Sequence, residues 1–374
     1  MKLTGVELRR IRLPLVGEFR TSFGSQKARD ALLVRAVSPD GDGWGECVAL
    51  AAPVYSPEYV DGAEHLIRHH LLPPLFADHE LTAEKVAPLL SHVKGNQMAK
   101  GALEMALLDL ELRLRDESLA THLGAVREWV DCGVSVGIMN DIGELIDAVA
   151  GYLDQGYKRI KLKIEPGWDV KAVQAVRERF GDILLQVDAN TAYTLQDAAH
   201  LAELDEFNLL LIEQPFEEED VRSHAELAKQ IRTPVCLDES INSARAATDA
   251  IAIGACSIVN IKAGRVGGYL EAKRVHDVCE AKGVPVWCGG MLETGLGRAA
   301  NVALAALPNF TLPGDTSASD RYFAQDITEP FVLDDGRLRV PTGPGLGVTV
   351  SQDALDQVTT STKYIPAVKP AGRK

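Results

Sequence analysis

From Cys132 onward, short apolar segments alternate with amphipathic helical segments at a nearly constant interval. The eight apolar segments read GVSVGI, RIKLKI, ILLQVD, LLLIE, PVCLDE, SIVNIK, PVWCGG and FTLPGD. Strands joined by crossover helices run parallel, and eight such strands are the number that closes a (β/α)₈ barrel. An open, doubly wound sheet is the alternative, but no GxGxxG motif opens the first unit, which weakens that alternative. The pattern therefore predicts an α/β barrel.

Charged side chains occur at the ends of five consecutive segments of this series. They are Lys163, Asp188, Glu213, Asp238 and Lys262, at intervals of 25, 25, 25 and 24 residues. One βα unit has about this length, so the five residues are predicted at the same level of successive strands. In a barrel that level is the carboxyl-terminal rim, where active sites lie.

The second segment, RIKLKI, alternates basic and apolar residues with the two-residue period of a strand. Barrel strands are covered by helices outside and filled with side chains inside. We therefore predict that Lys161 and Lys163 face the interior, with Arg159 nearer the barrel floor as an ion-pair partner. Buried ammonium groups need carboxylates close by, and the next three strands supply them. A salt-bridge network without chemistry is the alternative, and its desolvation cost makes it the weaker interpretation.

Three carboxylates that converge from neighbouring strands would repel one another unless a cation lay between them. Oxygen ligands favour a hard divalent ion, Mg²⁺ first, Mn²⁺ second and then other divalent ions, whereas zinc would need His or Cys. An ion that holds a substrate carboxylate favours removal of the α-proton, because it stabilises the resulting enolate. The base must be neutral near pH 7, and Lys161 and the ion would lower the pKa of Lys163. The predicted reaction class is proton abstraction next to a carboxylate.

The composition limits the partners of the chain. A net charge of −14 disfavours nucleic acid and acidic membrane surfaces. No apolar run approaches the roughly 20 residues of a membrane span, and the amino terminus has no secretory pattern. The six cysteines are scattered without a CxxC pair, which predicts buried, reduced thiols. We expect a cytoplasmic protein that binds a small-molecule carboxylate substrate.

The segments outside the barrel predict a second unit built from both ends of the chain. Residues 1–60 are typical of β-hairpins, and residues 63–123 have helical periodicity. We therefore predict an α+β domain at residues 1–130 and the barrel at residues 131–320. Residues 321–374 contain ITEPFVLDDGRLRV, which predicts two short strands around DDG that return to the first domain.

Taken together, these motifs resemble the muconate lactonizing enzyme subgroup of the enolase superfamily. The matching motifs are KLKI, VDAN, IEQP, LDES and NIKAGRVGG. CGGMLETGLGRAAN and FRTSFG look like its branch of o-succinylbenzoate synthases and N-acylamino acid (N-succinylamino acid) racemases. The resemblance covers essentially the whole chain. It implies a modified TIM barrel, (β/α)₇β, under an α+β capping domain, and homo-oligomers that are often octamers.

The resemblance also implies a function and a set of site residues. It implies Mg²⁺-dependent racemisation of N-succinyl amino acids by two-base 1,1-proton transfer through an enolate, with o-succinylbenzoate synthesis (a dehydration in menaquinone biosynthesis) as a second activity. In the dehydration, one lysine does the proton work and the other stabilises the enolate. The implied roles are Mg²⁺ ligation by Asp188, Glu213 and Asp238, acid/base catalysis by Lys163 and Lys262 on opposite substrate faces, and contact of Lys161 with the substrate carboxylate. Asn190 is expected close to the metal, and Glu239 is expected to support a ligand by hydrogen bonding.

Substrate choice depends on a predicted pocket. GEFRTSFGSQK, residues 17–27, has glycines at both ends of a polar stretch and is interpreted as a lid, with an exposed turn as the alternative. By resemblance, the acyl pocket is lined by Phe19, Phe23, Ser135, Gly290 and Met291.

Other activities fit the sequence less well. A mandelate racemase-like enzyme would have a His–Asp pair where Lys262 stands, and a dipeptide epimerase would have DxD where LPGDTSASD stands. A dedicated o-succinylbenzoate synthase, a Schiff-base lyase that uses Lys163 as nucleophile, and a non-catalytic barrel remain as alternatives.

Overall fold

The amino-terminal part of the chain folds as an antiparallel sheet with helices packed against it. This computed structural model describes residues 1–367. The strands are β1 (Gly5–Thr21), β2 (Gly24–Ser38) and β3 (Gly41–Cys47). The helices are α1 (Val60–Leu66), α2 (Leu72–Ala77), α3 (Val86–Leu89), α4 (Gln97–Leu114) and α5 (Leu119–Leu123). A Cβ at Gly45 would lie 2.1 Å from the carbonyl oxygen of Ala102, so α4 packs this closely on β3 only because position 45 is glycine.

The middle of the chain alternates strands and helices as the sequence predicts. After β4 (Trp129–Asp131) come β5 (Gly133–Val136), α6 (Ile142–Asp154), β6 (Arg159–Lys163), α7 (Val170–Phe180), β7 (Leu184–Asp188), α8 (Ala198–Leu201), β8 (Ile212–Glu213) and α9 (Val221–Leu227). Then follow β9 (Val235–Leu237), α10 (Ala244–Ala252), β10 (Ile258–Ile261), α11 (Ala263–Val266), α12 (Tyr269–Ala281), β11 (Val286–Cys288) and α13 (Gly295–Ala305). Strands β5 to β11 form one parallel sheet in sequential order.

The eighth apolar segment, FTLPGD, closes the barrel without forming a regular strand. On one side, the amide of Asp315 donates to the carbonyl of Cys288 at 2.8 Å, next to β11. On the other side, the amide of Gly133 in β5 donates to the carbonyl of Gly314 at 2.7 Å. The proline of this segment has no N–H, which prevents a continuous ladder. The sheet is therefore a closed barrel rather than an open, doubly wound sheet.

The carboxyl-terminal segment forms a separate two-stranded sheet with β4 and adds an edge strand to the amino-terminal sheet. β12 (Arg337–Arg339) pairs antiparallel with β4, and after α14 (Gln352–Val358), β13 (Thr359–Pro366) pairs antiparallel with β1. The amino-terminal sheet thus has the order β13-β1-β2-β3. One detail of the prediction is wrong: the residues before DDG form no regular strand, and the strand after DDG pairs with β4 rather than with the first sheet. The exact domain boundaries stay a prediction.

A buried glutamate joins the helical layer of the first unit to the barrel. Glu104 in α4 accepts hydrogen bonds from the amides of Tyr269 at 3.0 Å and Leu270 at 3.2 Å, in the first turn of α12. These amides favour the carboxylate because they have no partner within the helix, but burial outweighs them and raises the pKa of Glu104 to about 8. Gly268, with φ of +133°, stands directly before this turn, and a Cβ there would lie 1.8 Å from Glu104 Oε2.

We expect Gly268→Ala to lower the free energy of unfolding by about 2 kcal/mol or more, because it adds backbone strain and displaces the Glu104 carboxylate. Gly283→Ala is the matched control: its φ is +67°, and nothing lies within 4 Å of the added Cβ. The control should lose only the strain contribution, about 1 kcal/mol. Urea unfolding of both variants measures the difference. Equal losses of unfolding free energy in the two variants would show that the position of the Glu104 side chain does not depend on the absence of a Cβ at residue 268.

Candidate active site

The five charged residues lie side by side at the carboxyl-terminal rim of the barrel. Lys163 is in register with Asp188 on the neighbouring strand, and Asp188 is in register with Glu213 on the next. Asp238 follows β9 directly, and Lys262 follows β10 directly. All five side chains are buried. The regular spacing in the sequence thus corresponds to one level of the barrel.

The basic residues of β6 point into the barrel. Lys161 Nζ lies 2.6 Å from Asp315 Oδ2 and 3.1 Å from Glu213 Oε2, above the Trp287 ring at 4.7 Å from its centroid. Arg159 is fully buried and pairs with Asp315 Oδ1 at 2.9 Å. These contacts confirm the predicted inward orientation of Lys161 and the ion pairing of Arg159.

Two further lysines flank the acids. Lys163 Nζ lies 2.5 Å from Asp188 Oδ2, and Lys262 Nζ lies 2.5 Å from Asp238 Oδ2. β6 and β10 are separated by the three strands that present the carboxylates. The two amines therefore approach the acids from opposite sides, with Glu213 between them.

Charge coupling determines the protonation of this cluster. Burial alone would lower the pKa of Lys161, but the carboxylates of Asp315, Glu213 and Asp188 outweigh it and raise the pKa above its ordinary value. Lys161 is therefore a cation near neutral pH, as the prediction requires of it. Burial and the charge of Asp188 raise the pKa of Glu213 well above its ordinary value, and Lys161 offsets only part of this. This rise in the pKa of Glu213 reflects the repulsion that is expected between neighbouring carboxylates.

The pKa of Lys262 is also well above its ordinary value. Burial would lower it, but Asp238, Tyr55 and Glu239 together outweigh the desolvation. Lys262 therefore holds its proton in this arrangement, which suits a group that donates a proton to the substrate.

Asn190 and Glu239 lie immediately behind the predicted ligands. Asn190 Oδ1 accepts from Lys163 Nζ at 2.7 Å, and Asn190 Nδ2 donates to Glu239 Oε1 at 3.0 Å. The backbone amide of Asn190 donates to Asp188 Oδ1 at 3.0 Å. Burial, followed by the charge of Asp238, raises the pKa of Glu239 to about 8. Both residues can orient a ligand or a lysine through hydrogen bonds.

The donor chemistry fits a hard divalent cation. Asp188, Glu213 and Asp238 offer only carboxylate oxygens, and within residues 1–367 the buried Asp238 Oδ1 has no hydrogen-bond partner. In this structure the carboxylate oxygens of the three residues are too far apart for one oxygen from each to lie within 4.8 Å of the other two. Lys161 and Lys163 instead contact these carboxylates, so a cation would compete with the lysines for the same oxygens.

Among residues 1–367, the group that does meet this spacing is a poor candidate for a metal site. It consists of His276, Asp277 and Glu280 in α12. His276 Nδ1 lies 2.9 Å from Asp277 Oδ1, and His276 Nε2 accepts from the amide of Asn309 at 3.2 Å. Both ring nitrogens already have partners, so the imidazole offers no free ligand atom.

The predicted pocket residues line one cleft above the charged cluster. Phe19, Phe23, Ser135, Gly290 and Met291 all line this cleft, together with the three lysines. The cleft lies between the barrel rim and the turn that joins β1 to β2. The structure therefore brings the predicted pocket and the predicted catalytic residues together.

The segment interpreted as a lid is the end of a β-hairpin rather than an open loop. Phe19 pairs with Gln26, and Thr21 pairs with Gly24, so only two residues form the turn. The hydroxyl of Ser22 in that turn donates to the carbonyl of Ala189 at 3.2 Å, just after β7. The turn is thus docked over the rim of the barrel, although Gly24 and Ser25 beside it are exposed, so its interpretation as a lid stays a prediction.

Several cleft residues were not identified from the sequence. Tyr55, from the connection between β3 and α1, has its hydroxyl 3.0 Å from Lys262 Nζ and 3.2 Å from Asp238 Oδ2. Arg298 and Tyr322 also line the cleft and follow no periodic pattern. Asp315 could have been found, because it ends an apolar segment as the other acids do.

Family comparisons agree with this architecture. Residues 144–354 match the family described as "Enolase C-terminal domain-like". Residues 4–124 match the family described as "Mandelate racemase / muconate lactonizing enzyme, N-terminal domain". The chain belongs to the enolase superfamily.

Individual members of the enolase superfamily are similar over almost the whole chain. An N-succinylamino acid racemase from Amycolatopsis sp. is 70% identical over 366 residues, which cover 98% of this chain and 100% of that protein. An o-succinylbenzoate synthase from Geobacillus kaustophilus is 45% identical over 360 residues, 96% of each chain. A solved structure of an enolase superfamily member from Listeria innocua superimposes with a TM-score of 0.94 at 42% identity, covering 98% of this chain and 100% of that one.

These comparisons confirm the predicted fold class, a modified TIM barrel with an α+β capping domain, and the prediction that the chain is an enzyme of the enolase superfamily. Within residues 1–367, no helix combines the length and the apolar character that crossing a membrane requires.

Proposed function

We propose that this protein is a divalent-cation-dependent racemase of N-succinyl amino acids that also forms o-succinylbenzoate by dehydration. The observation that carries the proposal is the placement of Lys163 and Lys262 on opposite sides of three buried carboxylates. The relatives support the substrate class, because a racemase at 70% identity and a synthase at 45% identity both have a succinyl group in their substrate or product names.

The two lysines are suited to act on opposite faces of one carbon atom. A substrate carboxylate seated over the acids would present its α-carbon between the two amines. One neutral amine takes the α-proton and becomes an ammonium, while the other ammonium gives its proton to the opposite face. The net change is inversion at the α-carbon, and the two lysines exchange protonation states. The reverse reaction uses the same groups with their roles exchanged.

The remaining charged residues would hold the substrate carboxylate in place. Asp188, Glu213 and Asp238 would bind Mg²⁺, which when bound supplies positive charge that stabilises the electron-rich form of the substrate carboxylate. Lys161 keeps its proton and can contact the same carboxylate. Asn190 and Glu239 restrain Lys163 and the ligands by hydrogen bonding.

The dehydration uses the same residues with a different outcome. Lys163 removes the proton next to the carboxylate and becomes an ammonium, while the charge of Lys262 stabilises the intermediate. Lys163 then gives this proton to the neighbouring hydroxyl, which leaves as water. Because both reactions begin with the same proton abstraction, one site can catalyse both. A dedicated o-succinylbenzoate synthase would share this site and differ in how well it accepts amino acid derivatives.

Three assays test the proposal on the full-length protein. Circular dichroism follows racemisation of N-succinyl amino acids, NMR in D₂O follows α-hydrogen exchange, and absorbance follows formation of o-succinylbenzoate. All three activities should be lost with EDTA and restored by Mg²⁺. Activity that survives EDTA, together with borohydride labelling of a lysine in the presence of substrate, would instead support Schiff-base chemistry.

We also propose a cytoplasmic location and a homo-oligomeric assembly, an octamer by family resemblance. All six cysteines are free and buried, which is in line with a reducing compartment. Light scattering of the purified protein measures the assembly state.

A further inference from the structure

One cation of the cleft does not belong to the catalytic cluster. Among the described residues that line the cleft, the cationic side chains are Lys161, Lys163, Lys262 and Arg298. The three lysines contact the acids of the rim, whereas Arg298 reaches the cleft from the first turns of α13. Arg298 therefore adds positive charge at a second place in the wall.

The guanidinium group of Arg298 is buried without a carboxylate partner. Only 3% of the residue is exposed, and its hydrogen bonds go to neutral oxygens. They are the carbonyl and hydroxyl of Ser317 and the carbonyl of Glu293, the last two at 3.3 Å and 3.2 Å. Within residues 1–367, its Nε has no hydrogen-bond partner. The other two buried arginines of the barrel, Arg159 and Arg265, pair with Asp315 and Glu218.

Glu293, whose backbone carbonyl accepts from Arg298, does not neutralise it. The carboxylate of Glu293 accepts from the amide of Met291 at 2.8 Å and from Asn301 Nδ2 at 3.0 Å. Only its backbone carbonyl contacts Arg298. A buried cation of this kind is costly unless an anion accompanies it, and an arginine fork matches the two oxygens of a carboxylate.

A succinyl group provides such an anion. In the proposed reaction the α-carboxylate lies at the lysines, and the succinyl group carries a second carboxylate four carbons along the acyl chain. We propose that Arg298 binds this terminal carboxylate and thereby makes the enzyme prefer succinyl over uncharged acyl groups. The inference rests on the proposed function, because it names a subsite for the same substrates.

The test compares two substrates that differ only in this charge. N-succinyl and N-succinamoyl derivatives of one amino acid have the same length, but the second ends in a neutral amide. The wild-type enzyme should favour the succinyl compound in kcat/KM. In Arg298→Met that preference, the ratio of the two kcat/KM values, should fall about tenfold or more, mainly through a higher KM for the succinyl compound. Arg298→Lys keeps the charge but loses the fork, so its preference should fall by a smaller factor.

The outcomes separate this inference from the proposed function. If the wild-type enzyme racemises neither compound, the proposed function fails. If it racemises both without preference, or if Arg298→Met keeps the wild-type preference, the Arg298 assignment alone is wrong. If Arg298→Met does not fold, Arg298→Lys decides, and an unchanged preference in that variant overturns the assignment.

Discussion

Replacing either Lys163 or Lys262 with alanine is expected to lower the rate of racemisation by at least about a thousandfold. Inversion needs one group to remove the α-proton and a second group to return a proton from the other side. Each single variant keeps one amine, so each should still exchange the α-hydrogen of one enantiomer with D₂O. The two variants should act on opposite enantiomers, because the amines flank the acids from opposite sides.

Circular dichroism measures racemisation, and NMR in D₂O measures exchange for each pure enantiomer. Lys158→Ala is the control, since Lys158 directly precedes β6 but pairs with Asp335 outside the cleft at 3.2 Å. The control should keep wild-type rates. Near-normal turnover by either variant would refute the two-base assignment. Exchange of the same enantiomer by both variants would place the amines on one face of the substrate.

The second large effect is expected for Glu213→Gln, which should abolish all three activities without lowering the metal-free melting temperature. Burial and Asp188 already disfavour the anionic form of Glu213, so a neutral amide costs little at this position. The amide oxygen can still accept from Lys161, which contacts Glu213 Oε2. The amide NH2 then replaces Glu213 Oε1, which accepts from Asn260 Nδ2 at 2.6 Å, and a half-turn of the Asn260 amide would present its Oδ1, which has no hydrogen-bond partner within residues 1–367. The loss of activity would then follow from weaker cation binding rather than from unfolding.

Thermal unfolding with and without Mg²⁺ separates these effects. An ion that binds only the folded protein stabilises it by about 2.7 kcal/mol at one hundred times its dissociation constant. The wild-type protein should therefore melt at a higher temperature with Mg²⁺, and Glu213→Gln should not. The exposed Glu217→Gln, four residues further along the chain, is the control and should behave as wild type. An unchanged Mg²⁺ response in Glu213→Gln would remove Glu213 from the ligand set.

The barrel and its charged rim could be predicted because both depend on local order along the chain. A strand shows its two faces in the alternation of RIKLKI, and each βα unit has a similar length, so residues about 25 apart reach the same level. Burial of lysines beside acids then follows from electrostatics, and the contacts of Lys161 bear this out.

Residues that enter the cleft from outside the barrel strands could not be located in the same way. Tyr55 meets Lys262 across 207 positions of the sequence, and β13 reaches β1 from the opposite end of the chain. The sequence pattern predicts a strand for the eighth segment, yet this segment closes the barrel through isolated hydrogen bonds. Such contacts depend on how whole elements pack together, and the periodicity of residues within one element does not predict that packing. The alternation and spacing of residues thus specify the barrel and its acid–lysine rim, whereas only the folded chain determines which side chains complete the cleft above it.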